Sequence, residues 1–293
     1  MLLALSAIWG SSFMFIKVGV RELEPATLVA GRLVLAALTL LVIVKVRMPL
    51  GTATAQIRRR FWPFLFVALF NSVVPFWLLA WGETRIDSGL AALLQACAPL
   101  FTALLAFFFV RAERVSGDRL LGVLVGFGGV ALLVGAVPSG SVLGALAVVV
   151  TGFCYAASSL AGGRYLRDVP AATIALGTSG LAAIVSLPFG LAQLPSSVPG
   201  WKVIGSVVFL GVVGLGFAYV LYFALITGAG ASRAILVTYL VPPMALFYGA
   251  TILDESFGFT DFAGLALILA GVSLGTGVAQ SRLRRRAPAQ VRA

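Results

Sequence analysis

The stretch SGLAALLQACAPLFTALLAFFFVRAERVSGDRLLGVLVGFGGV (residues 88–130) decides the fold, because its pattern returns in ASRAILVTYLVPPMALFYGATILDESFGFTDFAGLALILAGV (residues 231–272). Each stretch is an apolar run with a central proline, then an acidic turn, then an apolar run with spaced glycines. The matching positions lie 142 or 143 residues apart: Pro99 and Pro242, Glu113 and Glu255, Gly122 and Gly264, Gly129 and Gly271. This repetition indicates a chain built from two related halves.

The composition indicates an integral membrane protein. Hydrophobic residues make up 60% of the 293 residues and charged residues only 11%, and the mean hydropathy is +1.07. Soluble globular proteins carry about 25% charged residues, so this chain has less than half the charge that a water-exposed surface normally needs.

Ten apolar runs approach the length of about 20 residues that a helix needs to cross the hydrocarbon core. They cover residues 2–19, 27–46, 62–81, 87–109, 119–136, 143–161, 172–193, 202–222, 232–252 and 259–279. The first run starts at Leu2 without a basic segment before it, so we expect a true span and no cleaved signal peptide. The sequence therefore predicts an all-α integral membrane protein with ten transmembrane helices.

The distribution of Lys and Arg predicts the orientation. If the amino terminus is cytoplasmic, sixteen basic residues fall in cytoplasmic segments and four in outer ones. The sixteen are Lys45, Arg47, Arg58, Arg59, Arg60, Arg111, Arg114, Arg119, Arg164, Arg167, Arg233, Arg282, Arg284, Arg285, Arg286 and Arg292. By the positive-inside rule this bias predicts a multi-pass protein of the plasma (inner) membrane with both termini in the cytoplasm. The net charge of +11 then indicates contact with anionic membrane lipids, and no nucleic-acid partner is expected.

Ten helices in two related halves make five per half. Because five is odd, the halves must cross the bilayer in opposite senses, so we expect two inverted five-helix repeats. The turn-forming segment 138–141 is the natural boundary. The predicted organisation is a first repeat over 1–138, a second over 141–280 and a basic cytoplasmic tail over 281–293.

The start of the chain resembles a known family. Trp9-Gly10-Ser11-Ser12-Phe13 with Lys17 at the end of the first run is similar to the opening motif of EamA-type transporters, in the drug/metabolite transporter (DMT) superfamily. Pro25, Arg32 and the proline–glutamate–glycine stretches also fit its repeats. The resemblance covers nearly the whole chain. It implies a ten-helix exporter of small metabolites, often amino acids or their relatives, with a central cavity between the halves.

Prolines inside two matching spans are candidate hinges. Pro99 lies in the span 87–109, and Pro242 and Pro243 lie in the span 232–252. Proline removes a helical hydrogen bond and clashes with the preceding turn, and paired interruptions in matching spans are typical of a transporter's binding site. The alternative is a structural kink with no ligand nearby.

Polar residues at mid-membrane depth are the candidate substrate contacts. They are Trp9, Ser12, Asn71, Gln95, Tyr155, Ser158, Tyr219, Tyr222, Thr238 and Tyr239. A buried amide is costly in hydrocarbon unless it finds a partner, so Asn71 and Gln95 should face the interior. Hydrogen bonding between helices explains such amides equally well. For the serines helix packing is an alternative, and the aromatic residues can equally pack or face lipid.

Charged residues near the membrane leave further alternatives. Arg32 lies about 8 Å below the outer end of its span at 1.5 Å per residue, where it can snorkel to the interface, bind a phosphate headgroup or attract an anionic group of a substrate. Glu83 and Asp87 flank a short outer turn, where they form a solvated turn or relay protons. No acidic residue precedes Glu22, which argues against a proton-coupled drug pump with a carboxylate in its first helix.

Glycines and cysteines are assigned to packing. Gly122-x3-Gly126 and Gly271-x3-Gly275 should allow close helix approach, within the fold or in a dimer. Cys97 and Cys154 are isolated, and with no His in the chain no metal site, cofactor or enzymatic activity is expected. Gly211, Gly214 and Gly216 provide either flexibility or room beside the cavity.

These features predict a secondary transporter that exports a small metabolite, an amino acid or related compound, by alternating access. Its partners would be the small-molecule substrate and membrane lipids, and the chain would be a monomer or homodimer. Uptake, a lipid- or nucleotide-sugar-type substrate, and an integral-membrane enzyme or scaffold are the alternatives.

Overall fold

The computed structural model describes residues 1–109, 117–138, 141–230 and 236–275. Within these ranges the chain is helical and has no strand. In chain order the helices are α1 (Leu2–Gly19), α2 (Pro25–Arg47), α3 (Leu50–Arg59), α4 (Phe61–Glu83), α5 (Ser88–Phe108), α6 (Gly117–Ala136), α7 (Val142–Tyr165), α8 (Ala171–Ala192), α9 (Trp201–Gly228), α10 (Leu236–Ile252) and α11 (Phe259–Gly275).

The prediction of an all-helical, multi-pass membrane protein is confirmed. Eight of these helices are long and apolar enough to cross a membrane, and α10 and α11 are shorter apolar helices of 17 residues each. Several sequence predictions lie outside the described residues: those on Arg111, Glu113, Arg114, Arg233, the centre of the 138–141 boundary and the basic tail 281–293.

The short helix α3 is absent from the sequence prediction. It is amphipathic: Ala53 is fully buried, and Ile57 packs in a small cluster with Phe64 and Leu166. Arg58 and Arg59 lie exposed in its last turn. Ala53 and Ile57 are four residues apart, the spacing of one helix face, so the sequence contains the signal, although the segment is too polar for a span.

Long helix pairs hold the bundle together. The most extensive packing joins α6 to α11 and α2 to α8, and α1 packs along α10 while α7 packs against α4 and α5. Thr27 of α2 donates a hydrogen bond to the carbonyls of Gly190 (3.0 Å) and Gln193 (2.8 Å) at the end of α8. A continuous apolar core runs between these pairs.

The outer faces of the helices are apolar. Leu38, Phe108, Leu124 and Phe189 are each more than half exposed, although a water-facing surface of this size would normally be charged. Lipid tails are the matching environment for such faces.

Glycines bring α6 and α11 into close contact. A Cβ atom placed on Gly122 would lie 2.5 Å from the backbone nitrogen of Gly275 and 2.9 Å from the carbonyl oxygen of Gly271. The two glycine motifs therefore face each other within one chain. Because glycine carries only a hydrogen atom as its side chain, the two helix backbones can come into contact there.

The two ends of the bundle differ in charge. We call one the Lys17 end, where Lys17, Glu83 and Glu255 lie, and the other the Arg60 end, where Arg60 at the start of α4 meets Asp168 before α8. Arg60 binds Asp168 in a two-pronged ion pair (2.5 and 2.6 Å) and donates to the carbonyl of Tyr165 (2.9 Å).

This ion pair is exposed, and we expect its contribution to stability to be small and dependent on salt. The hydrogen bond from Arg60 lowers the pKa of Asp168 to about 2, below the roughly 3.9 of an unfolded chain. The stabilisation is therefore present above pH 4 and is lost as the pH falls through about 2. Asp168→Asn should lower Tm slightly at pH 7, and adding it to Arg60→Gln should lower Tm no further than Arg60→Gln alone does. Additive losses would contradict a direct pair.

Candidate functional site

A cavity of about 390 Å³ lies in the middle of the bundle. Its walls come from α1, α2, α4, α5, α7, α9 and α10, so both halves of the chain contribute. It is lined by Trp9, Ser12, Phe13, Ile16, Arg32, Asn71, Phe76, Leu79, Ala92, Gln95, Ala96, Ala98, Tyr155, Gly214, Leu215, Tyr219, Tyr222, Thr238, Val241 and Pro242. The size falls within the range of about 300–1,000 Å³ that is usual for small-molecule sites.

Irregular helix segments border this cavity. In α4 a π-helical segment covers Leu69–Val73, and the backbone N–H of Val74 bonds to the carbonyl of Leu69. Pro75 has no N–H to give the carbonyl of Asn71, four residues earlier, so the regular helical ladder cannot continue there. In α9 a second π segment covers Phe209–Phe217. Such segments are frequent at functional sites, and here both carry cavity-lining residues.

The helix α5 is broken at the cavity. Its first regular part is Ser88–Gln95 and its second begins at Ala98, and at the break the N–H of Cys97 reaches only the carbonyl of Leu94. Pro99 follows two residues later and leaves the carbonyl of Gln95 without its helical partner. The helix α10, in contrast, continues without a break through Pro242 and Pro243. Of the two helices that the sequence predicts as hinges, only α5 is therefore interrupted.

Arg32 supplies the charge of the cavity. Among the described residues it is the only charged one on the cavity wall. The side chain is 4% exposed, which rules out snorkelling to the interface in this conformation, and its guanidinium lies 4.0 Å from the centre of the Phe76 ring. Its Nε is buried without a hydrogen-bond partner among the described residues. A planar cation stacked on an aromatic ring keeps its N–H edge available to a carboxylate.

Polar and aromatic side chains connect the two halves around Arg32. The amide of Asn71 donates to the hydroxyl of Tyr219 (3.4 Å), and the indole N–H of Trp9 donates to the carbonyl of Gly214 (3.2 Å). The Trp9 ring lies 5.5 Å from that of Tyr222. Gln95, which lines the cavity, has a buried side-chain oxygen with no partner among the described residues.

Several predicted site residues lie away from the cavity. Ser158 is buried in α7 and Tyr239 packs against the main core, and neither lines the cavity; nor do Pro99 and Pro243. The other predicted residues, Trp9, Ser12, Arg32, Asn71, Gln95, Tyr155, Tyr219, Tyr222, Thr238 and Pro242, all reach its wall. Sequence reasoning missed the apolar part of the wall, which includes Phe13, Ile16, Phe76 and Leu79, because apolar residues are everywhere in a membrane span.

Hydrogen bonds close the Lys17 end above the cavity. The ammonium of Lys17 donates to the carbonyls of Glu83 (2.8 Å) and Ile86 (2.7 Å). The carboxylate of Glu255, which follows α10, accepts from the N–H groups of Ser88 (2.8 Å) and Gly89 (2.9 Å) at the start of α5. The second contact crosses from one half to the other and supplies hydrogen-bond acceptors for N–H groups that have no partner within their own helix.

The expectation that Glu83 lies in a solvated turn is wrong. Its side chain is fully buried, whereas Asp87, four residues later, is exposed. The turn is short, and α1 and α7 cover it: a Cβ atom on Gly82 would lie 2.7 Å from the Val148 side chain of α7. Neighbouring helices that are far apart in sequence therefore bury the carboxylate.

Comparison with known proteins identifies the family. The family model of EamA-like transporters matches residues 1–135 and again 142–276. The chain belongs to the EamA-like transporter family. The resemblance that the opening motif and the repeated stretches suggested is thereby confirmed.

Relatives of similar length carry transporter names. An "uncharacterized transporter" of Archaeoglobus fulgidus is 29% identical over 90% of this chain and 93% of its own length. A "probable terminal-alkyne amino-acid exporter" of Streptantibioticus cattleyicolor is 28% identical over 91% and 89%. The fold is also similar to that of one protein of known crystal structure, with a TM-score of 0.63 at 18% identity over 98% of this chain and 98% of the other. This similarity supports the fold only.

Proposed function

We propose that this EamA-family protein is a secondary transporter that exports a small metabolite with a carboxylate group, an amino acid or a relative, by alternating access. The observation that carries the proposal is the central cavity with one buried arginine on its wall. A carboxylate on Arg32 would satisfy its unpartnered Nε–H, and an amino group could rest against the aromatic faces of Trp9 and Tyr222.

The helix contacts support two inverted five-helix repeats. If α1, α2, α4, α5 and α6 correspond to α7, α8, α9, α10 and α11, the packing of α1 on α10 corresponds to that of α7 on α5. Likewise the packing of α4 on α7 corresponds to that of α9 on α1, while the pairs α2–α8 and α6–α11 map onto themselves. Both π-helical segments lie in corresponding helices, α4 and α9. Such a bundle can open at either end by rocking one half against the other.

Export with both termini in the cytoplasm is supported by two separate observations. The basic residues concentrate at the Arg60 end and in the segments that connect the helices at that end. This is the distribution that the positive-inside rule requires of a cytoplasmic face. The Streptantibioticus relative is named an exporter. The Lys17 end is then the outer end, and the hydrogen bonds of Lys17 and Glu255 would close the outer gate. The break of α5 before Pro99 supports a hinge in that helix.

The cavity size favours a small cargo over the alternatives. A volume of about 390 Å³ is near the lower end of the range for ligand sites, which suits an amino acid better than a nucleotide sugar or a lipid. The mixture of one cation with amide and hydroxyl groups also suits a small polar molecule.

The proposal is tested by counterflow in proteoliposomes with a panel of radiolabelled amino acids and related carboxylates. We expect the wild-type protein to exchange at least one of them. The Gln95→Ala variant should exchange it several-fold more slowly, because a hydrogen bond to the cargo is worth about 0.5–1.5 kcal/mol. The matched control is Gln193→Ala, whose side chain lies exposed beyond α8, and it should equal wild type.

Each outcome decides something about the proposal. Exchange that is slowed by Gln95→Ala and kept by Gln193→Ala supports both the function and the site. Exchange that both variants keep leaves a transporter but removes Gln95 from the site. No exchange of any carboxylate compound, while labelled lipids or nucleotide sugars exchange, would replace the proposed cargo class.

A further inference from the structure

Glu83 is a buried carboxyl group that the proposed transport site does not use. Its side chain is fully buried, and neither carboxyl oxygen has a hydrogen-bond partner among the described residues. It lies one turn beyond Leu79, which lines the cavity, at the closed Lys17 end. An ionised carboxylate without partners is among the costliest groups to bury, and the neutral acid costs far less.

The nearest cation does not pair with this carboxyl group. Lys17 directs two of its three N–H donors to the backbone carbonyls of Glu83 and Ile86. Among the described residues no ion pair within 4.0 Å joins Lys17 to Glu83. A charged carboxylate beside an ammonium group would normally attract one of its donors, so this geometry fits a protonated Glu83.

Charged groups from neighbouring elements act on Glu83. They are Lys17 of α1, Arg32 of α2 and Glu255, which follows α10. On α7, Gly144 and Val148, which carry no charge, face the adjacent Gly82.

Asp87 on the same turn is also biased toward its neutral form. Partial burial raises the pKa of Asp87, the Glu255 charge raises it further, and Lys17 acts in the opposite direction. The surroundings of Asp87 at this end therefore disfavour its ionised form.

We propose that Glu83 is a proton-binding site that is protonated when the Lys17 end is closed and releases its proton to water when that end opens. On opening, the carboxyl O–H bond breaks, the proton passes to water, and the resulting carboxylate pairs with the ammonium of Lys17. Closing reverses each step. Each cycle of opening and closing releases one proton to the outer side and takes one back from it, so the outer pH sets how readily the Lys17 end opens. If the proposed transport function holds, the outer pH therefore controls the rate of cargo movement.

Accessibility of Ser88 tests this proton site without knowledge of the cargo. Ser88, five residues after Glu83 at the start of α5, is fully buried and its hydroxyl has no partner among the described residues, so Ser88→Cys is a conservative reporter. It is introduced into a protein whose Cys97 and Cys154 are replaced by Ala. Labelling by a membrane-impermeant maleimide is measured across pH and divided by labelling of the denatured protein at the same pH. We expect labelling to increase several-fold as the pH rises.

Variants assign this pH dependence to Glu83. Glu83→Gln mimics the protonated acid, so labelling should stay low at every pH, while Lys17→Met removes the partner of the carboxylate and should move the increase to higher pH. Glu24→Gln, at an exposed position, and Asp87→Asn should behave as the reporter protein does. The proposal is overturned if labelling of the reporter protein does not depend on pH, or if Asp87→Asn rather than Glu83→Gln abolishes the dependence.

A transport assay separates this proposal from the proposed function. Once a cargo is known, raising the pH on the outer side should speed its counterflow by the wild-type protein. Glu83→Gln, which keeps the Lys17 end closed, should slow counterflow and remove its dependence on the outer pH. If wild-type counterflow is present but does not depend on the outer pH, the proton site is wrong and the transport function stands. If counterflow is absent and the pH-dependent labelling is present, the proton site stands and the proposed transport function is wrong.

Discussion

Arg32→Gln is expected to lower the transport efficiency of a carboxylate-bearing cargo by about 10- to 100-fold, because a hydrogen bond to a charged group is worth about 1.5–3 kcal/mol and each 1.4 kcal/mol is tenfold. Arg32 is the only charged residue on the cavity wall among those that the structure describes, and it is held against Phe76. The measurement is the concentration dependence of counterflow, which yields kcat/KM for wild type and variant.

The lysine variant distinguishes charge from geometry. Arg32→Lys keeps a positive charge but loses the planar pair of donors, so we expect an intermediate loss. Arg21→Gln, at an exposed position beyond α1, is the matched control and should transport as wild type does. Thermal unfolding of each variant separates lost binding from lost folding. Normal transport by both Arg32 variants would remove Arg32 from the site.

Much of the fold follows from the sequence because lipid imposes simple rules. A span must be long and apolar, so the helices were predictable from composition, and the buried polar groups Asn71 and Gln95 were expected inside because hydrocarbon penalises them. Both reach the cavity wall. The orientation of the chain and the inverted repeat stay predictions, since they concern the membrane and the symmetry of the whole bundle.

The features that the sequence did not predict depend on contacts between distant segments. Burial of Glu83 results from α1 and α7 covering a turn that looks solvated when read alone; Lys17, which bonds there, is 66 residues away in the chain. The π segment of α4 was in principle readable from Pro75, four residues after Asn71, but the π segment of α9 contains no proline. The inward direction of Arg32 depends on Phe76 of α4, which no local pattern indicates.

Close packing of α6 on α11 makes Gly122 a sensitive position. An added Cβ would lie 2.5 Å from the nitrogen of Gly275 and 2.7 Å from the Cβ of Leu274. Both are fixed by the helix backbone and cannot rotate away, so α11 itself must move. We expect Gly122→Ala to lower the free energy of unfolding by about 1–3 kcal/mol, the usual cost of overpacking, as measured by thermal or denaturant unfolding in detergent.

Gly128→Ala on the same helix is the matched control, because a Cβ there would meet nothing within 4 Å. Alanine is favoured over glycine inside a helix by roughly 0.5–1 kcal/mol, so this variant should be as stable as wild type or more so. The two substitutions share the same chemistry and helix, and they differ only in whether α11 lies against the new methyl group. Equal stability of the two variants would mean that α6 and α11 are not in contact, and the pairing of the two glycine motifs would have to be abandoned.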